Sequence, residues 1–242
     1  MLDWLLKHGS YTRFVVITKP RTGSNLLING LQSHPQMKVF GELFRGGVEE
    51  AVKDAVRLSA SGYFNTNVFK RYPASIKAVG FKIFYHHPVW DPTGGVWRYL
   101  HELEDLKVIH LKRKNLLRLL VSSKVARKTD IWKQSAELGK DIDKRVEISA
   151  EECLEFFRET LEQQDATDEK FGGKALMQLT YEDLTADFQG QMSSVQDFLG
   201  VTPVQLPAKT VKQNPDRLDE LIVNYGDLKH ALRGSRWESF LE

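Results

Sequence analysis

The segment Thr18–Leu27, TKPRTGSNLL, has the residue types of an anion-binding loop. It follows a buried-type apolar run, and Pro20 and Gly23 require a turn before a helical pattern begins. Arg21 supplies a permanent cation with a planar fork of donors. The free amides of a first helical turn and the helix dipole also favour an anion. Further donors are the hydroxyls of Thr22 and Ser24 and the amides of Ser24, Asn25 and Leu26.

The ligand of this loop is predicted to be one compact tetrahedral group rather than a triphosphate. The ATP-binding pattern G-x-x-x-x-G-K-[ST] does not occur anywhere in the chain. The loop is also too short to wrap three phosphates. The competing interpretation is an ordinary turn with Arg21 in solvent, but a strand, turn residues and a helix start coincide here.

A second basic element runs from Lys107 to Lys128 and contains eight Lys or Arg residues with no Asp or Glu. Arg113 follows a predicted strand, and Asn115 is a suitable cap for the helix after it. Ser122 lies two turns into that helix, on the face that also carries Arg118. Arg113 and Ser122 are therefore a candidate second phosphate site, although a solvated basic helix face would have the same composition.

The elements that must position these residues alternate between strands and helices. Strand-like runs are predicted at Phe14–Thr18, Ala78–Tyr85, Lys107–Leu111 and Ala175–Thr180, with a short strand-like run at Met37–Phe40. Helical patterns cover residues 24–31, 48–58, 95–103, 115–127, 151–168, 188–199, 218–225 and 228–232. This alternation predicts a mostly parallel sheet covered on both faces, with ligands at the carboxyl ends of its strands.

Length and composition favour one soluble α/β domain spanning residues 1–242, with Thr129–Ser149 as a loop or lid. The net charge of +2 gives no support to general nucleic-acid binding. Cys153 is the only cysteine, which favours a reducing compartment. No apolar run is long enough to span a membrane, and Met1–Lys7 is too short and acidic for a secretory signal. We therefore expect a cytoplasmic protein.

These residues together resemble the sulfotransferases that use 3′-phosphoadenosine 5′-phosphosulfate (PAPS), and are closest to bacterial members of the trehalose type. PRTGSNLL is similar to the family's 5′-phosphosulfate loop, and RKNLLRLLVSS to its 3′-phosphate element, with Arg113 and Ser122 at the matching positions. LTYEDL, residues 179–184, is similar to a third segment, whose Tyr181 is expected near the nucleotide. The resemblance implies a three-layer, P-loop-kinase-like sulfotransferase fold, PAPS as sulfuryl donor and no metal.

The chain departs from the cytosolic small-molecule enzymes of that family at three places. Arg21 stands where those enzymes have Lys, and their aromatic residue near Leu26 is absent. Their C-terminal Arg-Lys-Gly run is also absent, so Lys212 or Arg233 would have to complete the 3′-phosphate site.

Transfer to an acceptor hydroxyl requires a general base, because alcohols are hardly ionised at neutral pH. Glu42 is the first candidate, since it follows a strand-like run and matches the base proposed in related bacterial enzymes. His86 and His87 are rivals, because they follow the strand at Ala78–Tyr85. Glu42 could instead pair with Arg45, and the histidines could only support a turn. Lys82 is interpreted as part of the sheet packing.

The predicted function is therefore transfer of a sulfuryl group from PAPS to a small-molecule, lipid or carbohydrate alcohol. Arg21 would stabilise charge on the leaving phosphate while Glu42 or a histidine accepts the hydroxyl proton. The alternatives are a kinase-like phosphotransferase, which the missing Gly-Lys-Ser/Thr element disfavours, and a non-catalytic module that binds RNA or anionic membrane through residues 107–128. No spacing of His, Cys, Asp or Glu suggests a metal site.

Overall fold

The fold is described from a computed structural model, which covers residues 10–45, 47–131, 142–208 and 217–241. Five strands form one sheet: β1 (Thr12–Thr18), β2 (Met37–Glu42), β3 (Ala78–Phe84), β4 (Lys107–Lys112) and β5 (Ala175–Thr180). Ten α-helices accompany them within the described residues: α1 (Ser24–Gln32), α2 (Glu50–Leu58), α3 (Ala60–Tyr63), α4 (Gly95–Glu102), α5 (Leu116–Thr129), α6 (Ala150–Phe171), α7 (Tyr181–Ala186), α8 (Phe188–Leu199), α9 (Leu218–Leu221) and α10 (Tyr225–Leu232).

The strand order is β2-β3-β1-β4-β5, and every pair of neighbours is parallel. From β1 the chain first forms β2 and β3, which lie towards one edge of the sheet. It then forms β4 and β5, which lie towards the opposite edge. The carboxyl ends of β1 and β4 therefore flank the point where the strand order reverses, which is where open α/β sheets bind ligands.

Two apolar layers cover the sheet. One packs α1 and α8 against the side of β1 that carries Phe14 and Val16. The other packs α2, α4 and the end of α6 against the side that carries Val15 and Ile17. The predicted three-layer α/β sandwich with a parallel sheet is thereby confirmed, because helices lie on both faces.

Local signals gave several element ends correctly. Asn115 caps α5 by accepting a hydrogen bond from the amide of Arg118 at 2.9 Å. Gly200 ends α8 in the left-handed conformation with a φ of 75°. The predicted helix at 218–225 ends early, as α9 at Leu221, and the predicted helix at 228–232 begins early, as α10 at Tyr225. The short helices α3 and α7 were not predicted.

Part of the predicted loop or lid, residues 132–141, lies outside the described residues, as does the segment Met1–Lys7. The described part, residues 142–149, is anchored to the C-terminal segment. The amide of Val146 donates to the carbonyl of Leu221 at 2.7 Å, and Ile148 is fully buried. In the described part of the chain, no helix is long and apolar enough to cross a membrane.

Candidate active site

The loop after β1 turns through two left-handed residues. Arg21 has a φ of 72° and Gly23 a φ of 78°. A left-handed arginine is unfavourable, and such strain persists where the surrounding structure enforces it, commonly at ligand sites. Left-handed residues also turn successive amides into a concave nest that attracts anions. The loop backbone therefore has the shape that the sequence led us to expect.

Thr22 shapes this loop from inside. Its side chain is buried, its hydroxyl donates to the carbonyl oxygen of Lys19 at 2.8 Å, and it also contacts the hydroxyl of Thr18. The hydroxyl of Thr18 donates in turn to the carbonyl of Leu111 on β4 at 2.6 Å. The Thr22 hydroxyl thus joins the loop to the sheet. Because the hydroxyl is engaged in these contacts, the backbone amide is the group of Thr22 that could bind a ligand.

The start of α1 differs in detail from the prediction. Gly23 rather than Ser24 is the N-cap residue, and Ser24 is the first residue of the helix. The amide of Leu26 is not free, because it donates to the carbonyl oxygen of Gly23 at 2.9 Å, and the Leu26 side chain packs on the core. The amides of Ser24 and Asn25 belong to the first turn, which lacks intrahelical acceptors.

Arg113 lies at the end of β4 and reaches across to the loop after β1. Its Nη1 donates to the carbonyl oxygen of Arg21 at 3.1 Å, although 92 residues separate them. The guanidinium lies 4.7 Å from the centroid of the Tyr181 ring, and only 9% of the residue is exposed. Among the described residues, no group accepts a hydrogen bond from its buried Nε.

Burial disfavours the positive charge of both Arg21 and Arg113. Burial lowers the pKa of Arg113, and burial together with the charge of Arg113 lowers the pKa of Arg21. Both guanidinium groups remain protonated, because arginine does not lose its proton in proteins. A ligand that carries negative charge would offset the desolvation of both groups.

Ser122 on α5 joins the same cluster. The Nε of Arg21 donates to its hydroxyl oxygen at 3.0 Å. The structure thus brings Arg21, Arg113 and Ser122 together where β1 and β4 end.

Tyr181, at the start of α7, covers the loop. A Cβ atom on Gly23 would lie 2.4 Å from Cδ2 of Tyr181, so only glycine leaves room for the ring. The neighbouring Glu182 accepts hydrogen bonds from the amides of Lys114 and Asn115 at 2.9 and 3.2 Å. The segment after β5 is therefore attached to both the first loop and the turn before α5.

Glu42 ends β2 and forms an ion pair that the sequence interpretation missed. The Nζ of Lys82 lies 2.9 Å from Oε1 of Glu42 and donates to Oδ1 of Asn25 at 2.9 Å and to the Ser24 hydroxyl at 3.3 Å. Lys82, which the sequence assigned to sheet packing, is 2% exposed and connects the candidate base to the anion loop. A lysine inside an otherwise apolar strand was the available signal, because a buried charge needs a partner.

Glu42 reaches Lys82 through an irregularity in the sheet. The β2–β3 register shifts between Val39 and Glu42, and the shifted register pairs Glu42 with Lys82. Gly41 has open space around it, and its φ is not positive. The bulge therefore directs the Glu42 carboxylate, and the conformational freedom of glycine is not required.

His86 and His87 directly follow β3, the strand that neighbours β2, at whose end Glu42 lies. Their ring centroids are 4.5 Å apart, and His87 is 6% exposed while His86 is exposed. Burial first, and then the neighbouring His86, lower the pKa of His87 to about 4. His87 is therefore neutral at pH 7, and its buried Nδ1 has no hydrogen-bond partner among the described residues.

Two further predictions concern Lys212 and a metal site. Lys212 lies outside the described residues. Within the described ranges, no group of three or more His, Cys, Asp or Glu side chains is arranged to hold a metal ion.

Comparison with known sequences gives distant relatives over nearly the whole chain. No protein-family model matches the chain. It is 28% identical over 235 residues to Nodulation protein H of Rhizobium tropici, which covers 95% of this chain and 92% of the relative. It is 25% identical over 236 residues to Nodulation protein H of Rhizobium meliloti strain 1021, with 95% and 94% coverage.

Comparison with solved structures gives sulfotransferases, the family that the motifs resemble. A sulfotransferase from Alicyclobacillus acidocaldarius matches with a TM-score of 0.48, 16% identity and coverage of 96% of each chain. The mouse sulfotransferase SULT7A1, in a complex with adenosine 3′,5′-bisphosphate (PAP), matches with a TM-score of 0.46, 12% identity and coverage of 84% of this chain and 65% of that chain.

Proposed function

We propose that this chain is a PAPS-dependent sulfotransferase that transfers the sulfuryl group to an acceptor hydroxyl. The observation that carries the proposal is the convergence of Arg21, Arg113 and Ser122 at the ends of two adjacent parallel strands. Two cationic groups at one sheet edge suit a single ligand with two separated anionic groups. PAPS has this form, with a phosphosulfate at its 5′ end and a phosphate at its 3′ position.

The residues present fit such a donor. The buried, unpartnered Nε of Arg113 is a donor that a phosphate oxygen would satisfy. We propose that Arg113 and Ser122 bind the 3′-phosphate, that Arg21 and the amides of residues 22–25 bind the 5′-phosphosulfate, and that Tyr181 faces the nucleotide. Lys212 remains a predicted contributor to the 3′-phosphate site. When bound, the donor supplies an activated sulfuryl group whose bond to the 5′-phosphate breaks as a new S–O bond forms.

In the proposed mechanism, this chain's side chains orient the acceptor and move its proton. Glu42 accepts the proton of the acceptor hydroxyl as the oxygen bonds to sulfur. Arg21 and the loop amides stabilise the negative charge that grows on the leaving phosphate. Lys82 holds the Glu42 carboxylate in place and fixes Asn25 at the start of α1. His87 is the alternative base, supported by its neutral imidazole and unpartnered Nδ1.

Two broader properties are proposed on other grounds. The continuous sheet supports one domain across the described residues. The only cysteine, Cys153, is fully buried and has no disulfide partner in the chain, which supports a reducing compartment such as the cytoplasm.

The proposed acceptor is an alcohol of a small molecule, a lipid or a carbohydrate.

The proposal is tested by isothermal titration with PAP. We expect micromolar binding that weakens by ~100-fold in Arg113→Ala, in line with the loss of a charge-assisted contact from a buried cation. Ser122→Ala should weaken binding by roughly 10-fold, as expected for one hydrogen bond to a charged ligand. Lys114→Ala, an exposed cation on the same turn, is the matched control and should bind PAP normally.

Binding of ATP in preference to PAP would contradict the proposal and favour the kinase-like alternative. Equal affinities of the wild-type protein, Arg113→Ala and Ser122→Ala for PAP would also contradict it, because the two strand ends would then not form the nucleotide site.

A further inference from the structure

Glu182, at the start of α7, contacts the turn that carries Arg113 and is not among the site residues predicted from the sequence. Its carboxylate accepts hydrogen bonds from two successive backbone amides, through Oε2 from Lys114 at 2.9 Å and through Oε1 from Asn115 at 3.2 Å. Hydrogen bonds from backbone amides to a carboxylate are charge-assisted and stronger than those between neutral groups. Both oxygens of one half-buried carboxylate thus hold the backbone of this turn.

These two hydrogen bonds lie beyond the end of the sheet. The ladder between β4 and β5 pairs Lys112 with Thr180 as its last position. Arg113 and Tyr181 are the next residues of the two segments, so strand pairing no longer fixes the distance between them. Glu182 directly follows Tyr181, and its carboxylate therefore links the two segments where Arg113 leaves β4.

Arg113 is held in two ways by the start of α7. Its guanidinium lies 4.7 Å from the centroid of the Tyr181 ring, while Glu182 fixes the backbone of the two residues that follow Arg113. Burial lowers the pKa of Arg113, whereas the nearby Tyr181 and Glu182 raise it. Because a phosphate bound at Arg113 would lie in the field of the same carboxylate, the charge of Glu182 by itself opposes phosphate binding.

We propose that Glu182 is a positioning residue for the 3′-phosphate site, which fixes the backbone of the Arg113 turn so that the guanidinium is aligned before the ligand binds. This inference rests on the proposed sulfotransferase function. A binding group that is already held in place loses less conformational freedom on binding. The benefit is selective, because it concerns the contacts of the 3′-phosphate and not those of the 5′ group at the loop after β1.

A purely structural role would be to attach α7 to the rest of the protein, but other contacts do this. The hydroxyl of Thr180 accepts a hydrogen bond from the amide of Asp183 at 3.2 Å and thereby caps α7. Leu184 is fully buried in the apolar layer that contains α1 and α8. The ammonium of Lys114 also forms an ion pair with Asp183 at 2.7 Å. Loss of the Glu182 carboxylate should therefore change phosphate binding more than the stability of the fold.

The experiment compares by calorimetry the affinities for PAP and for adenosine 5′-monophosphate (AMP), which lacks the 3′-phosphate. We expect the wild-type protein to bind PAP ~100-fold more tightly than AMP, the effect of charge-assisted contacts to one phosphate. Glu182→Gln should weaken PAP binding by ~10-fold, because an amide side chain can accept from only one of the two backbone amides. AMP binding should change by less than ~2-fold, as for a group remote from the contacts that AMP makes. If Glu182 acted only through its charge, PAP binding would instead become stronger.

Asp183→Asn is the matched control, because it removes the same charge from the same turn of α7 and leaves the Glu182 hydrogen bonds in place. It should bind PAP and AMP as the wild-type protein does, since partly exposed ion pairs contribute little. Thermal unfolding without ligand checks the fold of each variant. If Glu182→Gln does not fold, Glu182→Asp, which keeps the charge on a shorter side chain, is measured instead and should also weaken PAP binding more than AMP binding.

The PAP affinity of the wild-type protein separates the two levels of the proposal. If the wild-type protein does not bind PAP, the sulfotransferase function fails and the role of Glu182 fails with it. If PAP binds and its binding depends on Arg113, three results overturn the positioning role while the sulfotransferase function stands. These are that Glu182→Gln strengthens PAP binding, leaves it unchanged, or weakens PAP and AMP binding equally.

Discussion

The two sides of the candidate site balance their charges in different ways. On the side of the proposed nucleotide site, Arg113 donates to a backbone carbonyl, lies over Tyr181 and keeps a buried Nε without a partner among the described residues. On the other side, the buried Lys82 is already paired with Glu42. An anionic ligand would balance the buried positive charge of Arg113, whereas Glu42 already balances the charge of Lys82. The difference suits a reaction between a doubly anionic donor and a neutral alcohol.

The largest effect is expected from a substitution of Glu42. We expect Glu42→Gln to lower kcat by ~10²–10⁴-fold, because a general base contributes that much, and to leave PAP affinity nearly unchanged. Steady-state kinetics and calorimetry on the same preparation measure the two effects. Retention of wild-type kcat would move the base elsewhere, with His87 next in line.

A double-mutant cycle with Lys82→Met tests whether Lys82 acts through Glu42. Because the two side chains form one pair, the losses from Lys82→Met and Glu42→Gln should be strongly non-additive. Additive losses would mean that Lys82 acts on its own, apart from Glu42.

A smaller effect is expected on the nucleotide side from Gly23→Ala. The new Cβ would overlap the Tyr181 ring at a left-handed position, and such strain costs ~1–3 kcal/mol. PAP affinity should fall by ~5–150-fold for that cost, while the Glu42–Lys82 pair stays intact. Gly173→Ala, at a position with open space and no positive φ, should behave as wild type. Unchanged PAP affinity in Gly23→Ala would exclude the Gly23–Tyr181 contact from the nucleotide site.

The smallest expected effect is a change in how stability depends on pH. The pKa of His87 is lowered from 6.5 to about 4, so the unfolded chain binds a proton at pH values where the folded chain does not. The free energy of unfolding should therefore fall as pH drops from 6.5 towards 4. In His87→Gln this fall should be shallower in urea titrations at pH 4.5, 5.5 and 7, whereas the exposed His230→Gln should follow wild type. Identical slopes for all three proteins would mean that His87 is not buried as a neutral ring.

Much of the architecture could be predicted because its signals are local. The β5 run at Ala175–Thr180 has the bounds that its apolar pattern predicts, and Asn115 and Gly200 mark helix ends through caps that act within four residues. The contacts within the site were harder to predict from the sequence. Lys82 looked like sheet packing because neither its partner Glu42 nor the bulge that aligns them can be seen in either segment alone.

The amino-acid sequence by itself determined a parallel α/β sheet and a tight turn between β1 and α1, because periodicity, caps and turn residues act over a few positions. Only the tertiary structure decided that Arg113 reaches Arg21, that Lys82 pairs with Glu42 and that Lys19 turns to α6. These contacts join segments 40 to 144 residues apart. They depend on strand order and register, which follow from the burial of the whole sheet rather than from any one segment.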